Sequence, residues 1–263
     1  MNHIEINKFS DLHDEENIFF CKIDFISNAF QTIKQLNNKI ILITGNSDYC
    51  VTDDLVSKAP ANIVKWFCQN RLSDNILLDS VPMGIENTVK CKIDGHGYVW
   101  HHALEKPNIL KIESFQKREI SNLIYSNFKV ETNPPDRNKI KQIISKLSYI
   151  TKDEPNLQYK EFAKRINSHE AVLCPQGNGP GDNHRIYETL YLNKIPITFN
   201  KKLYRYLHYN FPIVCLDSFE ELQSEETIRQ KINEKKQLTY NKNMLEMDFW
   251  INKIKAAQNE LLV

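Results

Sequence analysis

Short, unbroken apolar runs alternate with segments of helical spacing along most of this chain, and that alternation leaves few folds open. Residues 18–25 (IFFCKIDF), 39–45 (KIILITG), 63–67 (IVKWF) and 76–82 (ILLDSVP) are too continuously hydrophobic for strands with one wet face. Strands covered on both faces are expected. Between the first two, ISNAFQTIKQL carries apolar residues at helical spacing. The theme restarts near residue 120. NLIYSNFKV (122–130) reads as a strand, and Asn133-Pro134-Pro135 opens a helix with Ile140, Ile143, Ile144 and Leu147 on one face. A helix (YKEFAKRINS), a strand (AVLCP), a glycine loop and a helix (DNHRIYETLYLN) follow. The strands IPITF and FPIVCL come next, separated by a short helix, LYRYLHY, and residues from about 220 onward read as helical. Strand–helix alternation implies parallel sheets, and the restart implies two of them. The expectation is an α/β chain of two Rossmann-like domains, 1–120 and 121–263, facing a cleft, with the final helix crossing back to brace both. Only 93–108 (IDGHGYVWHHALEKPN) fits neither pattern and reads as a loop.

Composition removes several classes. Hydrophobic residues at 41% and charged residues at 25% suit a chain with a real core, not a disordered one. The net charge of +1 argues against a surface that binds polyanions everywhere. Residues 1–120 hold 13 basic and 16 acidic side chains, and 121–263 hold 21 and 17, so an anionic ligand is expected in the second half. No apolar stretch approaches the roughly 18 residues of a membrane span, and the acidic N-terminus does not resemble a secretion signal, which makes a cytoplasmic protein the expectation. Six scattered cysteines without a CxxC pair read as reduced thiols.

Glycine is scarce. Average usage of about 7% would give roughly 18 in this length, whereas the chain has seven, three of them at 177, 179 and 181. Cys174-Pro175 ends a buried-looking strand, the loop Gln176–Gly181 follows, and Asp182 or Asn183 stands where a helix cap is needed. Glycines let a ligand approach the backbone, and a helix N-terminus offers free N–H groups and partial positive charge. Arg185 falls in the first turn, where it opposes the helix dipole unless an anion lies nearby. Glu188, three residues on, shares its face. Guanidinium suits a diphosphate and a carboxylate suits ribose hydroxyls. A tight turn with a surface Arg185–Glu188 ion pair would use the same residues. Neither GxxxxGK[ST] nor an early GxGxxG occurs, which disfavours a P-loop protein and a dehydrogenase.

The segment CPQGNGPGDNHRIYETLYLNKIPI (174–197) resembles the donor-binding motif of exostosin-like glycosyltransferases. Gly177, Gly179, Asp182, His184, Arg185, Glu188 and Ile195-Pro196-Ile197 carry the likeness, with looser likeness in TGNSDY, KWFCQN, VPMGIEN and YSNFKVETNPPDR. The resemblance implies a GT-B fold whose second half holds a UDP- or GDP-sugar through Gly177, Asn178, Gly179, Gly181, Asp182, His184, Arg185 and Glu188, and whose first half takes the acceptor. It implies no metal or other cofactor, with the nucleotide-sugar as co-substrate, and the absence of any Asp-x-Asp agrees. Gly45, Gly84, Gly95 and Gly97 fall in first-half loops expected to line the same cleft.

Glycosyl transfer needs the leaving diphosphate stabilised and, where configuration inverts, a base for the acceptor hydroxyl. The first role goes to Arg185 and the loop amides. Asp48, after the turn Gly45-Asn46-Ser47, is the first candidate base and Glu86 the second. His101 and His102 follow, with His96. Asn46, Ser47, His96, Tyr98, Trp100 and His101 are the acceptor-side candidates, because aromatic faces suit pyranose rings. HxxxxHH is poor evidence for a metal, and no metal site is expected. Asn127 and Arg137 are placed near the donor, as contacts or as a hinge. The expected acceptor is a surface glycan or its precursor. A modified DNA base is the alternative, and a non-catalytic nucleotide-binding regulator is the rival from another class.

Overall fold

The computed structural model describes residues 2–13, 15, 17–93, 99–179, 182–199 and 210–262. The chain is an α/β protein with two parallel, Rossmann-like sheets. It divides into two compact units: residues 1–104, 179–182 and 242–263 form the first, and 105–178 with 183–241 the second.

In the first unit, β1 (Ile18–Lys22), β2 (Ile40–Gly45), β3 (Ile63–Cys68) and β4 (Leu78–Ser80) lie side by side in chain order, all parallel. Every residue of β2 is buried, and its side chains divide by alternation. Ile40 and Leu42 meet Ile26, Ala29, Phe30 and Ile33 of α1 (Ile26–Lys34), while Ile41 and Ile43 meet a second core. A sheet built in strictly sequential order carries right-handed crossovers on one face only. The C-terminal helix Met247–Leu262 covers the other face: Met247, Trp250 and Ile254 pack there with Ile4, Ile6 and Phe9.

In the second unit the strand order is β6-β5-β7-β8-β9, again all parallel, with β5 Asn122–Ser126, β6 Ile150–Lys152, β7 His169–Leu173, β8 Ile195–Thr198 and β9 Val214–Cys215. After α2 (Asp53–Ser57) of the first unit, the described helices of the second are α3 (Lys106–Ser114), α4 (Pro134–Ile144), α5 (Tyr159–Asn167), α6 (His184–Tyr191) and a further helix over Glu225–Lys236. Asn133 caps α4 by accepting from the Asp136 N–H, and Pro134 and Pro135 begin it. The chain leaves β5 toward β6 on one side and returns to β7 on the other. Their carboxyl ends therefore flank a topological switch point, where open parallel sheets leave a crevice for ligands.

Two expectations need correction. The strand from residue 122 stops at Ser126, because Asn127 turns away to donate to the Glu154 carbonyl (2.8 Å). The stretch 93–108 is no uniform loop: a 3-10 turn spans His101–Ala103 and α3 begins at Lys106. The strand β6 had no sequence expectation, being three residues with one buried. The expected helix LYRYLHY lies outside the described residues. None of the six cysteines is in a disulfide, and burial pushes the Cys174 thiol up to about 12. Among the described residues no helix is long and apolar enough to cross a membrane.

Candidate functional site

The switch point in the second unit is built from four segments: the ends of β5 and β7 and the first turns of α4 and α6. Arg137, in the first turn of α4, turns its buried guanidinium onto the loop after β7. Its Nε donates to the Gln176 carbonyl (2.8 Å), Nη2 to Pro175 (3.0 Å) and Nη1 to Lys129 (2.5 Å). Burial, and then the charge of Arg185, push its pKa down to about 10, so it remains cationic at neutral pH. This arginine splints the loop that carries Gly177. A Cβ added at Gly177 would meet only Arg137 Nη2, at 3.8 Å, with open space otherwise.

Arg185, in the first turn of α6, is half-buried and lies over the Phe162 ring, 5.0 Å from its centroid. Its Nε is buried without a hydrogen-bond partner, and among the described residues no carboxylate pairs with its guanidinium. Two guanidiniums close enough to repel, one of them unpaired, at the start of a helix with no acidic residue in its first turn, make a locus of uncompensated positive charge. Such a place takes an anion.

Glu188 does not pair with Arg185. Although three residues apart, the two side chains go to different neighbours. Glu188 Oε1 accepts from Lys106 Nζ of α3 at 2.9 Å, with side-chain exposures of 4% and 10%. Lys106 also sits 4.7 Å from the Tyr159 ring centroid. The surface ion pair is thereby removed as a reading, and the Glu188 carboxylate enters any ligand contact already held by Lys106. His184 opens α6, half-buried, and Asn178 is exposed. Gly181 lies outside the described residues. No side chain caps α6, contrary to the expectation for Asp182 or Asn183.

Gly179 and Asp182 belong to the first unit. Asp182 Oδ2 accepts from the Met83 N–H (3.1 Å), and its own N–H donates to Asn70 Oδ1 (3.0 Å). A Cβ at Gly179 would fall 2.7 Å from the Asp48 Cβ and 2.6 Å from its carbonyl oxygen. Gly84, at φ 75°, would put one 2.0 Å from the Ile4 carbonyl oxygen, and Gly45 would strike Ile6 at 2.4 Å. These three glycines answer to close packing and not to a ligand. Gly95 and Gly97 lie outside the described residues.

Among the acceptor-side candidates, Asn46 (φ 53°) and the buried Ser47 shape the loop after β2. Asn46 donates its backbone N–H to Gln69 Oε1 and its side-chain amide to Asn7 Oδ1, each at 2.8 Å, and Ser47 Oγ accepts from the Tyr49 N–H. Asp48 is exposed beyond them. Glu86 Oε2 lies 3.0 Å from His102 Nε2, with side-chain exposures of 21% and 62%. Trp100 is exposed and stacks on the His102 ring, while His101 is exposed beside it. His96 and Tyr98 lie outside the described residues.

The roles of Lys106 and Phe162 had no signal in the sequence, because nothing local links α3 or α5 to α6. The pairing of Glu86 with His102 was hidden in the same way, although both residues were separately notable. No protein-family model and no curated protein matches the chain. The likeness to exostosin-like transferases is one of sequence, carried chiefly by residues 174–197.

Proposed function

We propose that this protein is a glycosyltransferase that moves a sugar from a nucleoside-diphosphate donor to a hydroxyl of a glycan acceptor. The observation that carries the reading is the unpaired Arg185 guanidinium beside Arg137 at the switch point of the second sheet. The bond from the anomeric carbon to the diphosphate oxygen breaks, and the charge that develops on that oxygen is met by Arg185 and the amides around Gly177. The new bond joins the anomeric carbon to the acceptor oxygen. The acceptor hydroxyl gives up its proton to a base, for which His102 and Glu86, 3.0 Å apart in the first unit, and Asp48 are the candidates. Trp100, beside His102, offers the acceptor sugar an apolar face.

Binding and turnover test this in sequence. A nucleoside diphosphate at a hundred times its Kd should add about 2.7 kcal/mol of stability in thermal unfolding. A matching nucleotide-sugar should then release its nucleoside diphosphate when acceptor is supplied. Absence of stabilisation by every nucleoside diphosphate, together with absence of release from every nucleotide-sugar, rejects the proposal.

A further inference from the structure

A cavity of about 350 Å³ lies beside the anion locus, wholly within the second unit, where the chain leaves β7, β8 and β9. That volume falls in the usual range for small-ligand sites. Gln176 lines it and is also the residue whose carbonyl Arg137 holds, so cavity and anion locus share one splinted loop.

The chemistry of the cavity differs from that of its neighbour. Among the described residues three carboxylates line it, those of Asp136, Asp217 and Glu220, and no lysine, arginine or histidine does. Phe199 and Phe219, ring centroids 4.8 Å apart at 83°, supply an aromatic wall suited to a flat ring. Thr198 is 1% exposed and borders the cavity, and among the described residues no hydrogen bond engages its hydroxyl. Glu220 is exposed at the rim, and its carboxylate is likewise without a partner among the described residues.

Resting on the donor-binding reading, we propose that this cavity holds the base of the donor nucleotide and selects guanine. A carboxylate only accepts hydrogen bonds and can take two side by side. Guanine presents N1–H and N2–H2 as adjacent donors, with O6 as an acceptor next to them that a threonine hydroxyl can serve. Uracil offers one N–H between two carbonyl oxygens, and a carboxylate facing that edge repels both. Adenine and cytosine place a bare ring nitrogen beside their amino group, which meets the same repulsion. The carboxyl edge of the sheet is thus sorted by charge, with guanidiniums for the phosphates near β5 and β7 and carboxylates for the base near β8 and β9.

Competition binding on the full chain decides it, with GDP, IDP and UDP as probes. GDP should bind at least tenfold more tightly than UDP. IDP, which lacks the 2-amino group, should fall between them. The Asp217→Asn/Glu220→Gln variant should bring the GDP-to-UDP ratio below threefold, and both side chains are exposed, so the thermal midpoint should hold. UDP binding as tightly as GDP, or an unchanged ratio in the variant, overturns the guanine assignment and leaves the transferase reading standing. Failure of all three nucleotides to bind sinks the donor site itself.

Discussion

Lys106 Nζ and Glu188 Oε1 meet at 2.9 Å with both side chains nearly out of water. The lysine comes from α3, and the glutamate is four residues into the helix that carries Arg185. The pair anchors α6 from behind while Arg185 projects on another course. Removing one partner leaves a buried charge uncompensated, which costs about 3–5 kcal/mol. Lys106→Met should therefore lower the unfolding free energy by that order in urea denaturation. Lys106→Met/Glu188→Leu should recover most of it, since a matched apolar pair leaves no stranded charge. A double variant no better than the single would show that the pair does not stand alone.

The two arginines should separate cleanly. Arg185→Ala removes a cation that no carboxylate among the described residues pairs with, so the ligand-free chain should lose no more than about 1 kcal/mol. Nucleoside-diphosphate affinity should fall at least tenfold, about 1.4 kcal/mol. Arg137→Met strands the carbonyls of Pro175, Gln176 and Lys129 and should cost at least about 2 kcal/mol of stability. Calorimetric titration beside urea denaturation distinguishes them.

Three glycines give a graded test. Gly177→Ala meets only ordinary van der Waals contact and should leave stability within about 0.5 kcal/mol while weakening nucleotide binding. Gly179→Ala forces the Asp48 backbone to move. Gly84→Ala adds both a clash with Ile4 and a left-handed φ, which together should cost more than about 1 kcal/mol. Equal effects at all three positions would contradict this division of roles.

His102→Ala should lower kcat by roughly 10²–10⁴-fold with donor affinity unchanged, and Glu86→Gln should follow it in part. Asp48→Asn should leave turnover near the wild-type level. If Asp48→Asn carries the loss instead, the acceptor proton goes to that carboxylate.

His169 sets a pH dependence of stability. It is fully buried at the start of β7, with Nδ1 2.6 Å from the Arg165 carbonyl oxygen and Nε2 2.8 Å from Thr151 Oγ1. Burial lowers its pKa below 6.5. The unfolded chain therefore binds the proton first, and stability present above about pH 6.5 is lost as pH falls toward the folded value. Between pH 7.5 and 5.5 the unfolding midpoint in urea should drop more for the wild type than for His169→Gln. Parallel profiles would rule the residue out as the source.

Much of the fold was legible in local pattern. Continuous apolar runs such as IILITG have no other use than a strand buried on both faces, and β2 is buried throughout. The segment ITK carries too little hydrophobic signal to announce β6, whose place comes from pairing with β5. The glycine cluster was legible as a constraint on the backbone, but one composition covered two causes. Gly177 is open to its surroundings, and Gly179 is pressed against Asp48.

By itself the sequence determined the parallel α/β class, the two sheets, and the placing of Arg185 in a first helical turn, because hydrophobic period and capping chemistry act over a few residues. Only the tertiary structure decided that Glu188 goes to Lys106, that Arg137 splints the loop, that Glu86 meets His102, and that carboxylates gather beside the guanidiniums. Those pairings join residues from 16 to 82 positions apart in the chain, and burial, not local propensity, selects which partner a charge must find.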